Sequence, residues 1–452
     1  MKERQGSSCP FGTGRRAGVV LALWPAPVAP RMLLSVFTPS HNTRHLDACY
    51  ASLAAQSYLE WEWIVVLNGA ASPWRPPVPD DRVKVSRAGK VGGVGAAKRA
   101  ACTLASGEVL VELDHDDILV SDCLAKVAGA FSSDPSAVLV YSDWAQIAED
   151  GGRNDDRFDP AMGWIYDDVS VDGVDVLRCQ GLVASPHNVG YIWYAPNHVR
   201  AFRRDAYEAA GGYDANLSVL DDQDLMCRLY MAGRFVHIPQ CLYLQRVHAD
   251  NTQKRPRTNA SIQTGTVALY QRYIYDLASA WAAREDLTEI TLVVDAKPAL
   301  RTLPGGIAGR EPRGTVVVTD PERPRIGLAD GSVGAIHAPD VCQHVIERGG
   351  LFNECYRVLA HGGLLFTDTP STDGRGAFQD PRHRSFWNEN SFWYVSQAAL
   401  APAVAGLEAR FQVSHLRTWY PTPFHEQTAI AYVQANLLAL KDGPRQGGPM
   451  LW

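Results

Sequence analysis

Short apolar runs alternate along the first third of the chain with segments whose apolar residues return every three to four positions. The runs at 33–37, 61–67 (WEWIVVL), 109–113 and 137–141 predict buried strands. Between the first two, Leu46, Cys49, Tyr50 and Leu53 mark the inner face of a helix that Asn42 or Thr43 can cap. Ala96, Ala97, Ala100, Ala101 and Leu104 mark a small-residue helix over 92–106, and Leu124, Val127 and Phe131 mark a third helix. Strands separated by helices of this length predict βαβ units and a mostly parallel sheet. Residues 146–200 break the rhythm. They are rich in Asp, Gly and aromatics and read as an irregular, substrate-facing segment. Order returns over 201–250, with helices near 204–210 and 222–232, and a helical stretch over 260–283 leads to a second α/β pattern from Leu292 onward. The expected fold class is therefore α/β in five parts: a flexible extension (1–31), a first α/β domain (32–255), a helical linker (256–288), a second, partial Rossmann-like domain (289–440) and a loose tail (441–452).

Composition narrows the class without choosing a function. The chain has 452 residues, 46 % hydrophobic and 20 % charged, as an ordinary globular protein of two or three domains has. A net charge of −6 argues against a broadly basic nucleic-acid surface. The nine cysteines are scattered without a CxxC pair, which points to reduced thiols in a cytoplasmic protein rather than a disulfide framework or zinc site. No segment approaches the roughly 20 apolar residues that span a bilayer. Arg15 and Arg16 ahead of the apolar run 17–24 faintly resemble a signal peptide, but the first credible core strand starts at Met32. The expected reading of 1–31 is instead a disordered extension, or a stretch that comes from a start codon placed too far upstream.

The most informative stretch is EVLVELDHDDIL, residues 108–119. A buried strand ends abruptly in Asp114, His115, Asp116 and Asp117, and crowding carboxylates there is costly unless something offsets their repulsion. A hard divalent cation, Mg²⁺ or Mn²⁺, does so while also binding phosphate oxygens. The carboxyl ends of strands are where open α/β sheets bind ligands, so the run suggests a metal–diphosphate site. Taken alone, it also fits a helix N-terminus with acidic first-turn residues.

Further blocks in order move that balance. TPSHN (38–42), LNGA (67–70), GKVGGVGAAKRAACTLASGE (89–108), LDHDD (113–117), GGYDANLSVLDDQDL (211–225) and LYLQRVHADNT (242–252) together resemble the inverting GT-A-fold glycosyltransferases of the family 2 type, over about residues 32–255. The resemblance implies a transferase that moves a hexose from a nucleotide sugar to an acceptor hydroxyl. It gives Asp116 as direct metal ligand, Asp114 on ribose or metal-bound water, and His248 as third ligand, although His248 also fits a surface or core histidine. The cation expected is Mn²⁺ or Mg²⁺. Thr38, Pro39, His41, Asn68 and His115 fall in the nucleotide-sugar blocks. Lys90 or Lys98 would contact phosphate, or would be solvated lysines. Asp222 matches the catalytic base, with Asp221 on sugar or acceptor and Asp224 bracing the following helix. Asn68 stands where the family usually has Asp for the nucleobase. An amide both donates and accepts, so a UDP-sugar is favoured by family while GDP- and dTDP-sugars stay open. Trp193, Tyr194, Asn197 and His198 lie between the two signatures and would line the acceptor groove, or belong to the core. A surface glycan, a small natural product or a hydroxylated DNA base would all fit as acceptor, DNA having only the clusters 254–257 and 382–384 in its favour. A homodimer is also open.

Residues 290–395 resemble the later part of class I S-adenosylmethionine-dependent methyltransferases. LADGSVGAIHAPDVCQHV (328–345) and LFNECYRVLAHGGLLFTDTPS (351–371) carry the likeness, with Asp320 where an adenine-contacting acid belongs. The glycine-rich turn after the first strand is missing, because LVVDAKPAL (292–300) stands there. S-adenosylmethionine is therefore not an expected cofactor, and the domain reads as a degenerate packing, dimerisation or acceptor-binding module. His383, Arg384, Trp387 and Asn388 remain as candidates for a site of another kind. The competing readings are a bifunctional glycosyltransferase–methyltransferase and a non-catalytic sugar-nucleotide-binding or glycan-binding scaffold.

Overall fold

β1 (Leu34–Ser40), β2 (Trp61–Leu67), β3 (Val83–Arg87) and β4 (Val109–Glu112) pair in parallel in the order β3-β2-β1-β4. The computed structural model describes residues 32–69, 71–89, 92–191, 196–249, 251, 256–294 and 312–441. β2 and β4 are buried at every position, while β3 at the sheet edge is half exposed, as strands inside and at the rim of a helix-covered sheet should be. α1 (Leu46–Ala54) buries the predicted Leu46, Cys49, Tyr50 and Leu53, and α2 (Val94–Thr103) is the small-residue helix.

The parallel rule ends at β4. The chain next lays down β5 (Ile118–Leu119), α3 (Cys123–Ser133) and β6 (Ala137–Ile147), then a hairpin of β7 (Tyr166–Val171) and β8 (Val174–Cys179). β9 (His198–Arg203) then inserts antiparallel to both β4 and β6. After α4 (Arg204–Ala209) and α5 (Asp221–Ala232), β10 (Arg234–Arg246) runs parallel to β6, and β5 closes the edge antiparallel to β10. Two parallel blocks are thus joined through an antiparallel strand that the periodicity did not reveal. Residues 146–200 contain regular structure after all, because hairpin strands with polar outer faces carry little hydrophobic signal.

α6 (Pro256–Arg284) leads to a six-stranded sheet of β11 (Thr288–Val293), β12 (Thr315–Val318), β13 (Val333–Pro339), β14 (Leu359–Pro370), β15 (Phe411–Trp419) and β16 (Tyr432–Ala439), in the order β12-β11-β13-β14-β16-β15. The pairs among β12, β11, β13 and β14 are parallel, while β16 pairs antiparallel with β14 and β15. α6 was expected as a linker but is a core helix. Its Tyr270, Ile274 and Ala278 belong to one apolar cluster with Trp63, Trp144 and Tyr191 of the first half and Ala335, Phe366 and Leu438 of the second. The two sheets and α6 accordingly lie in a single compact unit.

Candidate active site

The acidic turn after β4 is locked from behind. Asp117 is buried and accepts from the Tyr243 hydroxyl at 2.8 Å and the Arg246 backbone N–H at 2.7 Å. The Arg246 guanidinium donates to the carbonyls of Asp116 (2.9 Å) and Glu149 (2.8 Å). These bonds pin the turn to β10 and leave the carboxylates of Asp114 and Asp116 facing the cleft. Asp116 Oδ2 lies 2.8 Å from His248 Nε2. Ligand atoms of Asp114, Asp117 and His198 lie within 4.8 Å of one another. Burial, reinforced by Glu112, pushes the Asp114 carboxyl up to about 7. The donor set suits a hard cation: two ligands side by side on an octahedral ion with bonds near 2.1 Å sit about 3 Å apart, close to the Asp116–His248 spacing.

A second carboxylate pair opens α5. Asp222 Oδ2 accepts from Arg200 Nη1 at 2.5 Å, and Asp222 Oδ1 accepts from the Gln223 N–H at 2.8 Å. Asp221 faces the Lys98 ammonium at 3.2 Å. Behind both, the buried Glu112 carboxylate sits 2.6 Å from Lys98 and 2.9 Å from Arg200 Nε. Burial alone would raise both aspartates. For Asp222 the charges of Arg200 and Lys98 overcome it and hold the carboxyl well below the usual range. For Asp221 burial wins, and its carboxyl is raised. Neighbouring acids pushed in opposite directions suit different tasks. The helices meet here because position 95 is glycine: a Cβ on Gly95 would stand 2.4 Å from the Asp214 carbonyl and 3.1 Å from Asp221 Cβ.

One cleft collects most of the predicted residues. It is lined by Pro39, His41, Asn68, Lys98, Asp114, His115, Asp116, Asn197, His198, Asp221, Asp222 and His248. Two expectations need correction. The Thr38 side chain is fully buried, donating to the Leu113 carbonyl and accepting from the Trp63 indole, so its hydroxyl is spent inside the sheet. Lys98 borders the cleft, but its ammonium is enclosed by Glu112 and Asp221 rather than free for phosphate. Lys90, Trp193 and Tyr194 lie outside the described residues. Sequence reading missed Glu112, Arg200, Tyr243 and Arg246. Glu112 did leave a signal, as an acid interrupting an otherwise apolar strand. Arg200 left none, because β9 itself was unrecognised.

In the second half, Asp320 closes a turn by accepting from the N–H groups of Glu322 (2.8 Å) and Arg323 (3.4 Å). The turn after β11, where the cofactor's backbone cradle would have to be, falls in 295–311, outside the described residues. Trp387 is buried and donates to Ser385, and Asn388 caps a short helix in a capping box. Two of the four polar residues singled out there are thus committed to structure.

Comparison with known proteins agrees with the two halves. The model of Glycosyl transferase family 2 matches residues 35–209, and that of the Methyltransferase domain matches residues 277–367. The O-antigen biosynthesis protein RfbC of Myxococcus xanthus is 27 % identical over 54 % of this chain and 18 % of its own length. Chondroitin synthase of Pasteurella multocida is 22 % identical over 49 % of this chain and 21 % of its own. The chain therefore spans only about a fifth of the length of these relatives. Among solved structures, S. aureus TarS in complex with UDP-GlcNAc is similar at a TM-score of 0.39 and 15 % identity, over 56 % of this chain and 72 % of that one.

Proposed function

With a glycosyltransferase family 2 domain at residues 35–209 and a methyltransferase-type domain behind it, we propose that the chain is a metal-dependent inverting glycosyltransferase. It would move a hexose from a nucleotide sugar, by preference a UDP-sugar, to the hydroxyl of a glycan or small-molecule acceptor. The observation that carries this reading is the meeting of the Asp116–His248 pair and the Asp221–Asp222 pair in one cleft.

The roles follow from the chemistry of each group. Asp116 and His248, with Asp114 beside them, would hold Mn²⁺ or Mg²⁺, whose bound charge offsets that of the departing diphosphate. Asn68, Pro39 and His41 border the end of the cleft where the nucleoside would lie. Asp222, ionised through the neutral range, accepts the proton of the attacking hydroxyl. Its pairing with Arg200 makes it a weak base, suited to a proton that leaves only as the new bond forms. Asp221, held by Lys98, orients sugar or acceptor, and Asn197 borders the same cleft, while the buried His198 ring stacks on Tyr243 beside Asp114 and Asp117. Asp222→Asn keeps the shape and removes the proton acceptor. Transfer should fall by about 100-fold or more, while calorimetric affinity for the donor nucleotide with Mn²⁺ stays unchanged. Near-normal turnover in that variant would remove Asp222 from the role.

A further inference from the structure

The second sheet touches the first half through a buried polar knot centred on Ser414. The Ser414 hydroxyl lies 2.8 Å from His187 Nδ1 and 2.7 Å from the Tyr270 hydroxyl, and its carbonyl accepts from the Tyr191 hydroxyl at 2.6 Å. Gln412 Nε2 meets His187 Nε2 at 3.2 Å, and the Asn436 amide donates to Tyr270 at 3.1 Å. Every one of these side chains is at most 2 % exposed, apart from Gln412 at 3 %. Apolar residues would pack such a junction with no polar atoms to satisfy. A polar knot in which every one of these side chains makes at least one hydrogen bond instead fixes one geometry, since each misplacement leaves a buried group unpaired.

From this knot α6 runs to the candidate active site. One turn from Tyr270, the Tyr273 hydroxyl donates to Asp224 Oδ1 at 2.6 Å, in the first turn of α5 beside Asp221 and Asp222. Gly265 lets α6 seat against Leu220, the left-handed residue just before Asp221: a Cβ there would lie 2.6 Å from Leu220 Cδ1. Ile262, at the same end of α6, lines the cleft. His187 and Tyr191 carry the other branch, a few residues before β9 with His198 and Arg200, residues 192–195 lying outside the described residues.

We propose that the methyltransferase-type sheet is a positioning platform for the transferase site, with Ser414 a positioning residue that fixes α5 and β9 through Tyr270 on one side and His187 and Tyr191 on the other. The functional part of this proposal rests on the transferase reading above; the mechanical part does not. The second half then contributes to sugar transfer by orientation, with no chemistry of its own.

Hydrogen exchange on the full chain tests it without any substrate. In Ser414→Ala, amides of α5 and β9 should exchange about tenfold faster or more, while those of β1 and β2 keep wild-type rates. Tyr270→Phe, which cuts the same knot from the other side, should give the same local pattern, and Ser414→Thr, which keeps the hydroxyl, should restore protection. Tyr356→Phe, which deletes a hydroxyl bonded to the Leu440 carbonyl on the second half, should leave α5 and β9 untouched. Unchanged exchange in α5 and β9, or acceleration spread evenly over both sheets, would overturn the proposal. With UDP-glucose and Mn²⁺, release of UDP should show a lowered kcat at unchanged KM in Ser414→Ala. A raised KM would contradict positioning, whereas absence of UDP release in the wild type too would count against the donor reading and leave the exchange result standing.

Discussion

At the scale of single residues, buried charge decides most of what this chain shows. Glu62 is a case away from the cleft. It sits on β2 with its side chain 7 % exposed and binds Lys84 Nζ, the Ser35 hydroxyl and both donor groups of Ser106. Burial alone would raise its carboxyl, but these four partners hold it at about 2. A carboxylate depressed in the folded state stabilises above its unfolded value, near 4.5, and loses that contribution as pH falls toward 2. Glu62→Gln should therefore cost roughly 2 kcal/mol near pH 7 and progressively less below pH 4, as read from urea unfolding at several pH values. A cost independent of pH would show that shape, not charge, matters there. The acids of the cleft were legible as residues: Asp114 and Asp116 end an apolar strand abruptly, and Asp221 and Asp222 stand in the block that resembles the family's. Their cationic partner Arg200 was not legible, since an arginine near a strand reads as an ordinary surface residue until the strand is seen to be buried.

At the scale of elements, the strands buried on both faces and the helices with a clear inner stripe were readable, although β6, expected over 137–141, continues to Ile147. The small-residue helix α2 was read for its alanines, but the reason for its smallness appears only in three dimensions. Gly95 touches the Asp214 carbonyl and the base of Asp221, so α2 and α5 approach more closely than any side chain would permit. Gly95→Ala should shift α5, cost about 1–3 kcal/mol and depress turnover more than thermal stability would suggest, because the displaced element carries both carboxylates. Thermal melts paired with steady-state rates would check it, and wild-type values in both would refute the close approach. β9 was missed because its pairing is antiparallel and its residues are mixed. Antiparallel insertion into a parallel sheet leaves no periodic mark on sequence, yet β9 delivers His198 and Arg200 to the cleft.

At the scale of the whole molecule, the two halves are one body, and the expected linker is the helix that joins their cores. That could not be read from α6 itself. Its apolar residues cover more than one face, and only the second sheet shows what the extra face is for. In the methyltransferase-type half, the sequence that closes β11 and follows it, LVVDAKPAL (292–300), carries no glycine. S-adenosylmethionine should accordingly give no thermal shift, because a ligand that does not bind the folded state cannot raise its melting temperature. A dose-dependent shift would revive the bifunctional reading. On the proposed function, the cleft would bind a nucleoside diphosphate through a cation held by Asp116 and His248. The most direct test is calorimetric titration of UDP into the wild type and into Asp116→Ala, each with Mn²⁺ and with chelator. Binding that requires Mn²⁺ in the wild type and is lost in the variant is the predicted result; UDP affinity indifferent to both the metal and Asp116 would contradict the account.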